Sequence, residues 1–235
     1  MTTPIAVEVW SDVVCPWCYI GKRRLEGAVA ALGALAPGTE VEITYRSFQL
    51  DPDAPRPGED RSRPRTVEYL ADKYGRGAPA DRLEQAARMI AQVNEVAAGE
   101  GLVYDQSAAV RTNTIDAHRL LHAALAHGGP AMQAGLKERL LAGYFVTGQD
   151  LGDADTLVAL AAEAGLPGAL ARQVVDGEQY LEAVRADQEL ARAIGITGVP
   201  FAVVDRRFGI SGAQPVEAFG EVLRRALAAR EDPST

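Results

Sequence analysis

The chain has 235 residues, of which 47% are hydrophobic and 24% charged, and its formal net charge is −8 with a pI near 5.0. This composition is typical of a globular protein long enough to bury a sizeable core. The negative charge argues against a nucleic-acid partner, because a phosphate backbone repels it. No stretch approaches the roughly 20 apolar residues of a membrane span. The first residues also lack the pattern of a signal peptide, so we expect a cytoplasmic protein without a membrane partner.

The N-terminal segment predicts a strand, a helix and a second strand. Residues 5–11 are few and rich in Val and Ile, as in a buried strand. The motif Cys-Pro-Trp-Cys follows at 15–18 and opens a helical run to about Leu32, which Gly33 and Pro37-Gly38 should end. Residues 41–48 alternate apolar and polar side chains, which predicts the second strand.

The middle of the chain predicts an exposed loop followed by helices. Residues 51–65 hold four prolines and show no periodicity, which is typical of a loop. Its basic run, Arg61, Arg63 and Arg65, has no aromatic residues between the charges and should be solvated. From 66 to 194 the chain consists of helix-forming residues interrupted by glycine turns, which predicts about six helices and no strand.

Strands return near the C-terminus. Residues 201–204 and 208–211 are separated by a three-residue spacer that suits a hairpin. A last helix should begin at 214–215, and the residues from 231 onward should fray. The element order predicts a three-layer α/β fold if the two strand-bearing ends of the chain share one sheet.

The two cysteines carry the strongest chemical signal. The attacking species in disulfide exchange is a thiolate, whose pKa must lie below the free value of about 8.5. We expect Cys15 at a helix N-terminus, which stabilises an anion, and Pro16 at the first helical position, which needs no N–H. Cys18 returns to the same face one turn later and can resolve a mixed disulfide on Cys15. Trp17 should shape the surface beside the sulfur without adding charge.

A zinc site is the alternative interpretation of the cysteine pair. Zinc prefers four ligands, and a set could be assembled from Cys15, Cys18, His118 and His122. A strand directly before a Cys-x-x-Cys motif favours redox chemistry instead, so we expect no metal. The two histidines lack a metal-binding motif and are more often packing residues at such spacing.

Two carboxylates near the cysteines are candidate proton carriers. Glu8 and Asp12 flank the end of the first strand, and a buried acid of raised pKa could relay a proton to and from Cys18 during resolution. The alternative is a salt-bridged strand residue for Glu8 and a turn or cap residue for Asp12.

The segment from Asp12 to Tyr19 resembles the active site of the DsbA family, in particular its FrnE-like branch. Residues 195–201 resemble that family's second landmark, a loop with a cis proline that faces the cysteine pair. Segments 112–120 and 209–215 are also similar to FrnE-like proteins. The resemblance therefore spans nearly the whole chain.

This resemblance implies a thioredoxin-like α/β fold interrupted by a large all-helical insertion. The thioredoxin-like domain would comprise residues 1–62 and 195–235, and the insertion residues 63–194. Pro200 is expected to be cis, although most X–Pro bonds are trans. The backbone of Val199 is expected to pair with an extended substrate segment beside Cys15.

The resemblance also places Asn113, His118 and Arg119 in a family-like segment of the insertion. These three residues are expected to line the substrate groove over the cysteine pair.

We therefore predict a protein-disulfide oxidoreductase that works as a reductase or isomerase in a reducing cytoplasm. It needs no bound metal or organic cofactor, but an external thiol such as glutathione must reduce the pair again. Its partners would be that thiol and a protein or small-molecule disulfide.

Two other functions stay open. One is a glutathione-dependent isomerase or transferase resembling 2-hydroxychromene-2-carboxylate isomerases and kappa-class glutathione transferases, in which a serine usually replaces the first cysteine. The other is a non-catalytic peptide-binding module or chaperone that uses the surface around Trp17 and Pro200.

Overall fold

The computed structural model describes residues 3–56, 58–59, 62–107 and 109–231. Within these residues the strands are β1 (Ile5–Ser11), β2 (Val41–Ser47), β3 (Phe201–Val204) and β4 (Phe208–Ser211). The helices are α1 (Pro16–Leu35), α2 (Thr66–Tyr74), α3 (Pro79–Gly99), α4 (Ile115–Phe145), α5 (Ala154–Glu163), α6 (Gly168–Asp176), α7 (Leu181–Ala193) and α8 (Val216–Glu231). None of these helices is long and apolar enough to cross a membrane.

The two ends of the chain form one sheet, with strand order β2-β1-β3-β4. β1 lies parallel to β2 and antiparallel to β3, and β3 and β4 form the predicted hairpin. In its tight turn Asp205 and Arg206 have φ values of 50° and 55°, a left-handed conformation common in short hairpin loops. The sheet confirms the interpretation that the strand-bearing ends belong together.

Helix α1 is longer than the sequence predicts. Gly33 does not end it, because a single glycine inside a helix costs only about 1 kcal/mol. The helix continues to Leu35 and ends at Ala36, whose N–H donates to the carbonyl of Leu32 at 2.8 Å. The second predicted breaker, Pro37-Gly38, follows directly after this end, and Gly38 takes a φ of 89°.

Helices α1 and α8 cover one face of the sheet. The buried side chains of this layer include Val9, Leu25, Leu32, Phe219 and Leu223. Fully burying a side chain of this size contributes roughly 1.5–3 kcal/mol. The apolar stripe of the last helix is therefore the side that packs on the sheet.

Helix α7 covers the opposite face, and α4 lies along the free edge of β2. The amide of Gln133 in α4 is fully buried and bonds the N–H and the carbonyl of Tyr45 in β2, at 2.8 and 2.9 Å. The indole N–H of Trp10 in β1 donates to the carbonyl of Asp187 in α7 at 3.0 Å. These contacts complete three layers, as the element order predicts.

The regular structure described between β2 and β3 is helical, apart from an isolated bridge between Arg65 and Val110. The sequence predicts a turn at 128–130, and the structure has a kink there inside α4, with Gly129 at φ 71° and ψ −170°. The bounds of the insertion domain, residues 63–194, stay a prediction.

The basic run in the loop before α2 is not solvated throughout. Arg61 lies outside the described residues, and Arg65 is exposed as predicted. Arg63 is half-buried instead, because its guanidinium binds the hydroxyl of Thr112 and the carboxylate of Asp150. It therefore ties the loop to the helical block.

Glu138 of α4 joins the helical block to α1. Its carboxylate accepts from the hydroxyl of Tyr19 at 2.5 Å and from Lys22 at 2.7 Å, and it also pairs with Arg23. Burial by itself raises the pKa of Glu138, but the hydrogen bonds from Arg23, Lys22 and Tyr19 lower it to about 2. The carboxylate is therefore charged over the whole range in which the fold is expected to be stable.

Acid should weaken the protein through this carboxylate. Because the folded pKa lies below the ordinary value of 4.5, the stabilisation is present above about pH 4.5 and is lost as the pH falls towards 2. Solvent screening limits it to about 1 kcal/mol. Urea unfolding of wild type and Glu138→Gln should differ most at pH 7 and converge on acidification. A difference that does not change with pH would contradict this role of Glu138.

Candidate active site

The cysteines lie where the chain passes from β1 into α1. Cys15 caps the N-terminus of α1, and Pro16 occupies the first helical position, as predicted. The N–H of Cys18 donates to the carbonyl of Cys15 at 3.0 Å. Both side chains are free thiols, with 4% of Cys15 and 2% of Cys18 exposed. Nearby charges act strongly on such poorly hydrated groups.

The loop before β3 faces Cys15. The Val199–Pro200 peptide bond is cis, and the Sγ of Cys15 lies 3.6 Å from the carbonyl oxygen of Val199. A Cβ placed on Gly21 of α1 would lie 3.0 Å from Cγ of Pro200, so this close approach depends on a glycine. The two segments that carry the family resemblance therefore meet in space.

Cys15 opens onto a pocket of about 360 Å³. Its walls come from the turn at Cys15, the loop after β2, and helices α2 and α3. Trp17 lies at its edge and is 42% exposed. Cys18 lines a separate small cavity together with Tyr45 and Pro200. A disulfide that enters the pocket therefore meets Cys15 and not Cys18.

Asp12 organises the turn before Cys15. Its buried carboxylate accepts from the N–H of Val13 at 2.7 Å and of Leu50 at 2.8 Å, and lies 3.2 Å from Nε2 of His118. Burial by itself raises the pKa of Asp12, but His118 and the Leu50 N–H hold it below its usual value. Burial lowers the pKa of His118, so a neutral imidazole donates to Asp12. Asp12 is a charged turn residue, and the prediction of a raised-pKa proton relay is wrong for it.

Glu8 lies away from the cysteines. Its carboxylate pairs with Arg46 of β2 and lies 3.5 Å from Arg206. Side chains alternate along a strand, so Glu8 shares a face with Trp10, which packs towards α7, while α1 lies on the other face. The relay predicted for Glu8 is therefore corrected to the salt-bridged alternative.

A buried lysine lies behind the cysteine pair. Lys137 of α4 is fully buried, its ammonium donates to the carbonyl of Ser11 at 3.4 Å, and it lies 5.8 Å from the ring centroid of Tyr45. In the described structure no carboxylate lies within 4.0 Å of this ammonium. Burial lowers the pKa of Lys137, against the opposing charges of Cys18 and Asp12.

The hydrogen bond between the two thiols acts in opposite directions on their pKa values. A hydrogen bond to Cys18 and burial raise the pKa of Cys15 well above its ordinary value. Burial acts in the same direction on Cys18, but the hydrogen bond from Cys15 and the charge of Lys137 lower its pKa. Cys15 does cap the N-terminus of α1, and its role as the attacking thiolate stays a prediction.

The histidines do not join the cysteines in a metal site. Nε2 of His118 faces Asp12, and Nε2 of His122 lies 2.9 Å from the carboxylate of Asp187 and 3.2 Å from the hydroxyl of Ser47. Over the described ranges, no three His, Cys, Asp or Glu side chains are grouped as ligands. The four-ligand zinc set considered from the sequence is not assembled.

Asn113, His118 and Arg119 do not line the pocket, so the prediction of a groove formed by them is wrong. The Asn113 amide donates to two carbonyls of the loop after β2, at 3.0 and 2.9 Å. The Arg119 guanidinium is 3% exposed and binds carbonyls around α6 and α7, among them that of Gln179 at 2.7 Å. These side chains hold the framework together.

The pocket is built largely by residues that the sequence pattern does not distinguish. Among these lining residues are Tyr69, Lys73, Tyr74, Met89, Ile90 and Arg111. They belong to ordinary amphipathic helices and loops, and nothing local in the sequence marks them as a group.

Lys137 did carry a signal in the sequence. It shares the helical stripe of Leu136, Leu140 and Leu141, where a lone cation is unusual.

A Cys-x-x-Cys motif between a sheet strand and the N-terminus of a helix, opposite a cis proline, is typical of thioredoxin-like disulfide oxidoreductases. A family model described as a DSBA-like thioredoxin domain matches residues 6–224, and the chain belongs to this family. The match confirms the predicted family and the thioredoxin-like α/β fold with a helical insertion. Members of the family are oxidoreductases or isomerases.

Three known proteins illustrate the similarity. The crystal structure of probable DsbA oxidoreductase SCO1869 from Streptomyces coelicolor is 38% identical, with a TM-score of 0.83, covering 95% of this chain and 90% of that one. The uncharacterised protein YwbO of Bacillus subtilis (strain 168) is 23% identical over 224 residues, 93% of this chain and 96% of its own length. A 2-hydroxychromene-2-carboxylate isomerase is 14% identical with a TM-score of 0.66, covering 98% and 99%, which shows a shared fold alone. The FrnE-like branch stays a prediction.

Proposed function

We propose that this protein is a thiol–disulfide oxidoreductase in which Cys15 attacks and Cys18 resolves. The observation that carries the proposal is that the two cysteines line different cavities. Cys15 lines the pocket, whereas Cys18 lines the separate small cavity. Two-step exchange needs this arrangement, because one thiol must meet the substrate and the other must meet only the mixed disulfide.

The first step begins when the Cys15 thiol gives up its proton to solvent in the pocket. The Cys15 thiolate attacks one sulfur of a disulfide R–S–S–R, so a Cys15–S–S–R bond forms and the substrate bond breaks. The released R–S⁻ takes a proton from solvent. The N-terminus of α1 stabilises the transient charge on Cys15.

The second step uses Cys18. Its thiol loses its proton, which the charge of Lys137 favours, and attacks the sulfur of Cys15. The Cys15–Cys18 disulfide forms and the second R–S⁻ leaves, so the protein has lost two electrons and the substrate has gained them. An external thiol such as glutathione then reduces the pair, and the proposal includes no bound metal or organic cofactor.

The direction of the reaction follows from the proposed setting. In a reducing cytoplasm the pair rests as the dithiol, which favours reductase or isomerase work on protein or small-molecule disulfides. Pro16 and Trp17 would fix the distance between the sulfurs and the shape of the pocket edge. The backbone of Val199 would pair with the substrate beside Cys15.

A redox titration tests this proposal. Wild type equilibrated in glutathione buffers should show a reversible two-electron couple, and Cys15→Ser should show none. A reduction potential of about −270 mV would indicate a reductase, and one of about −120 mV an oxidase. Absence of a couple in wild type would contradict the proposal. A glutathione-dependent isomerase or a peptide-binding module would then explain the fold.

A further inference from the structure

The pocket in front of Cys15 has the size of a small-molecule site. Its volume of about 360 Å³ falls in the range of roughly 300–1,000 Å³ that is usual for such sites. Cys15 is recessed, with only 4% of the residue exposed. A protein disulfide brings bulky neighbours to such a sulfur, whereas a small disulfide can enter the recess.

One wall of the pocket is apolar and aromatic. It includes Tyr69 and Tyr74 of α2 and Met89 and Ile90 of α3. Tyr74 is 53% exposed and Met89 44% exposed, although large apolar side chains are more often buried. A flat apolar ligand would cover both side chains and remove them from water.

The same pocket holds two cations and one carboxylate, Asp51, which contacts Arg111 and acts on Lys73 only from a distance. The ammonium of Lys73 donates to the hydroxyl of Tyr69 at 2.7 Å, and in the described structure no carboxylate lies within 4.0 Å of it. The other cation, Arg111, is neutralised by Asp51 at 2.7 Å. The charges among the lining residues therefore leave one positive charge beside the apolar wall.

We propose that the substrate is a small aromatic disulfide bearing a carboxylate, bound with a sulfur at Cys15, its ring on the Tyr74–Met89 wall and its carboxylate at Lys73. The inference rests on the proposed function and names its substrate class. The chemistry is the exchange already written, in which two electrons pass from the cysteine pair to the substrate and two aromatic thiols leave.

The test compares three disulfides against the reduced full-length protein. They are 5,5′-dithiobis(2-nitrobenzoate), which is aromatic and anionic, 4,4′-dithiodipyridine, which is aromatic and uncharged, and oxidised glutathione, which is anionic and hydrophilic. Rates of thiol release are divided by those of free cysteine with the same reagent, which removes intrinsic reactivity. Wild type should favour the aromatic anion.

Substitutions then separate charge from apolar contact. Lys73→Gln should slow the aromatic anion about fivefold, as expected for one charge at about 4 Å in water, and leave the uncharged reagent within about twofold. Lys73→Arg should restore the rate. Arg76→Gln, an equal charge change on an exposed residue outside the pocket lining, should have no effect. Met89→Gln should slow both aromatic reagents relative to oxidised glutathione.

Several outcomes would overturn the inference. Equal effects of Lys73→Gln and Arg76→Gln would indicate a non-specific electrostatic effect of the protein's charge and no carboxylate-binding site at Lys73. A normalised rate that is highest for oxidised glutathione, or for the disulfides of insulin in the same assay, would indicate a glutathione or protein substrate. Reaction with none of the disulfides would overturn the proposed function, and the inference with it.

Discussion

Cys18→Ser is expected to stop the exchange halfway and leave the substrate thiol covalently attached to Cys15. Without a resolving thiol the mixed disulfide accumulates, and turnover falls to background. Cys15→Ser should form no adduct, because Cys18 does not line the pocket and faces only a separate cavity of about 10 Å³. Intact-mass spectrometry of both variants after incubation with a disulfide at pH 7 distinguishes these results.

Reaction of the two variants in denaturant and under native conditions controls for folding and for the quality of the reagent. Each variant carries one thiol, so in denaturant both should react fully with the same reagent. Under native conditions Cys18→Ser should react and Cys15→Ser should not. An adduct on Cys18 that forms as fast as that on Cys15 would reverse the assigned roles.

Lys137→Met should slow resolution while making the fold more stable. The variant removes the cation that lowers the pKa of Cys18, so less thiolate is present at pH 7. Each unit by which that pKa rises lowers the thiolate fraction about tenfold. Methionine also removes a buried charge without a carboxylate partner, and keeping such a charge away from water costs folding free energy.

Rapid-mixing measurement of second-thiol release between pH 5 and 9 tests this expectation, because the midpoint for resolution should move to higher pH. Lys22→Met is the matched control. Lys22 is a buried lysine 6% exposed, but it is paired with Glu26 and Glu138. That variant should lose stability and resolve at nearly the wild-type rate. An unchanged pH profile in Lys137→Met would refute the role of Lys137.

Local sequence patterns were sufficient for the parts of the site that neighbouring residues build. The strand, the Cys-Pro-Trp-Cys motif and the helix that follows are adjacent in sequence, so the position of Cys15 at a helix N-terminus follows from local preferences. Pro200 required the family resemblance, because nothing in its own neighbourhood separates a cis from a trans bond.

The errors arose where function depends on which face of an element meets which neighbour. Glu8 precedes the cysteines closely in sequence, yet strand alternation directs it to Arg46 on the other side of the sheet. The pKa of Cys18 depends in part on Lys137, more than 100 positions away, and a helix-terminus argument cannot include it. Asn113 and Arg119 belong to a family-like segment whose role proves to be bonding of loop carbonyls.

The sheet order has a consequence for how the chain folds during synthesis. β1 is flanked by β2, which follows it closely, and by β3, which begins at Phe201. A nascent chain that has completed β2 thus keeps one edge of β1 unpaired until almost the whole protein has left the ribosome. Closing a loop of this length adds little to the free-energy cost of folding. It does slow folding, because pairing between distant strands is intrinsically slow. The helical block, whose contacts are more local, can form first and hold that edge near its partner.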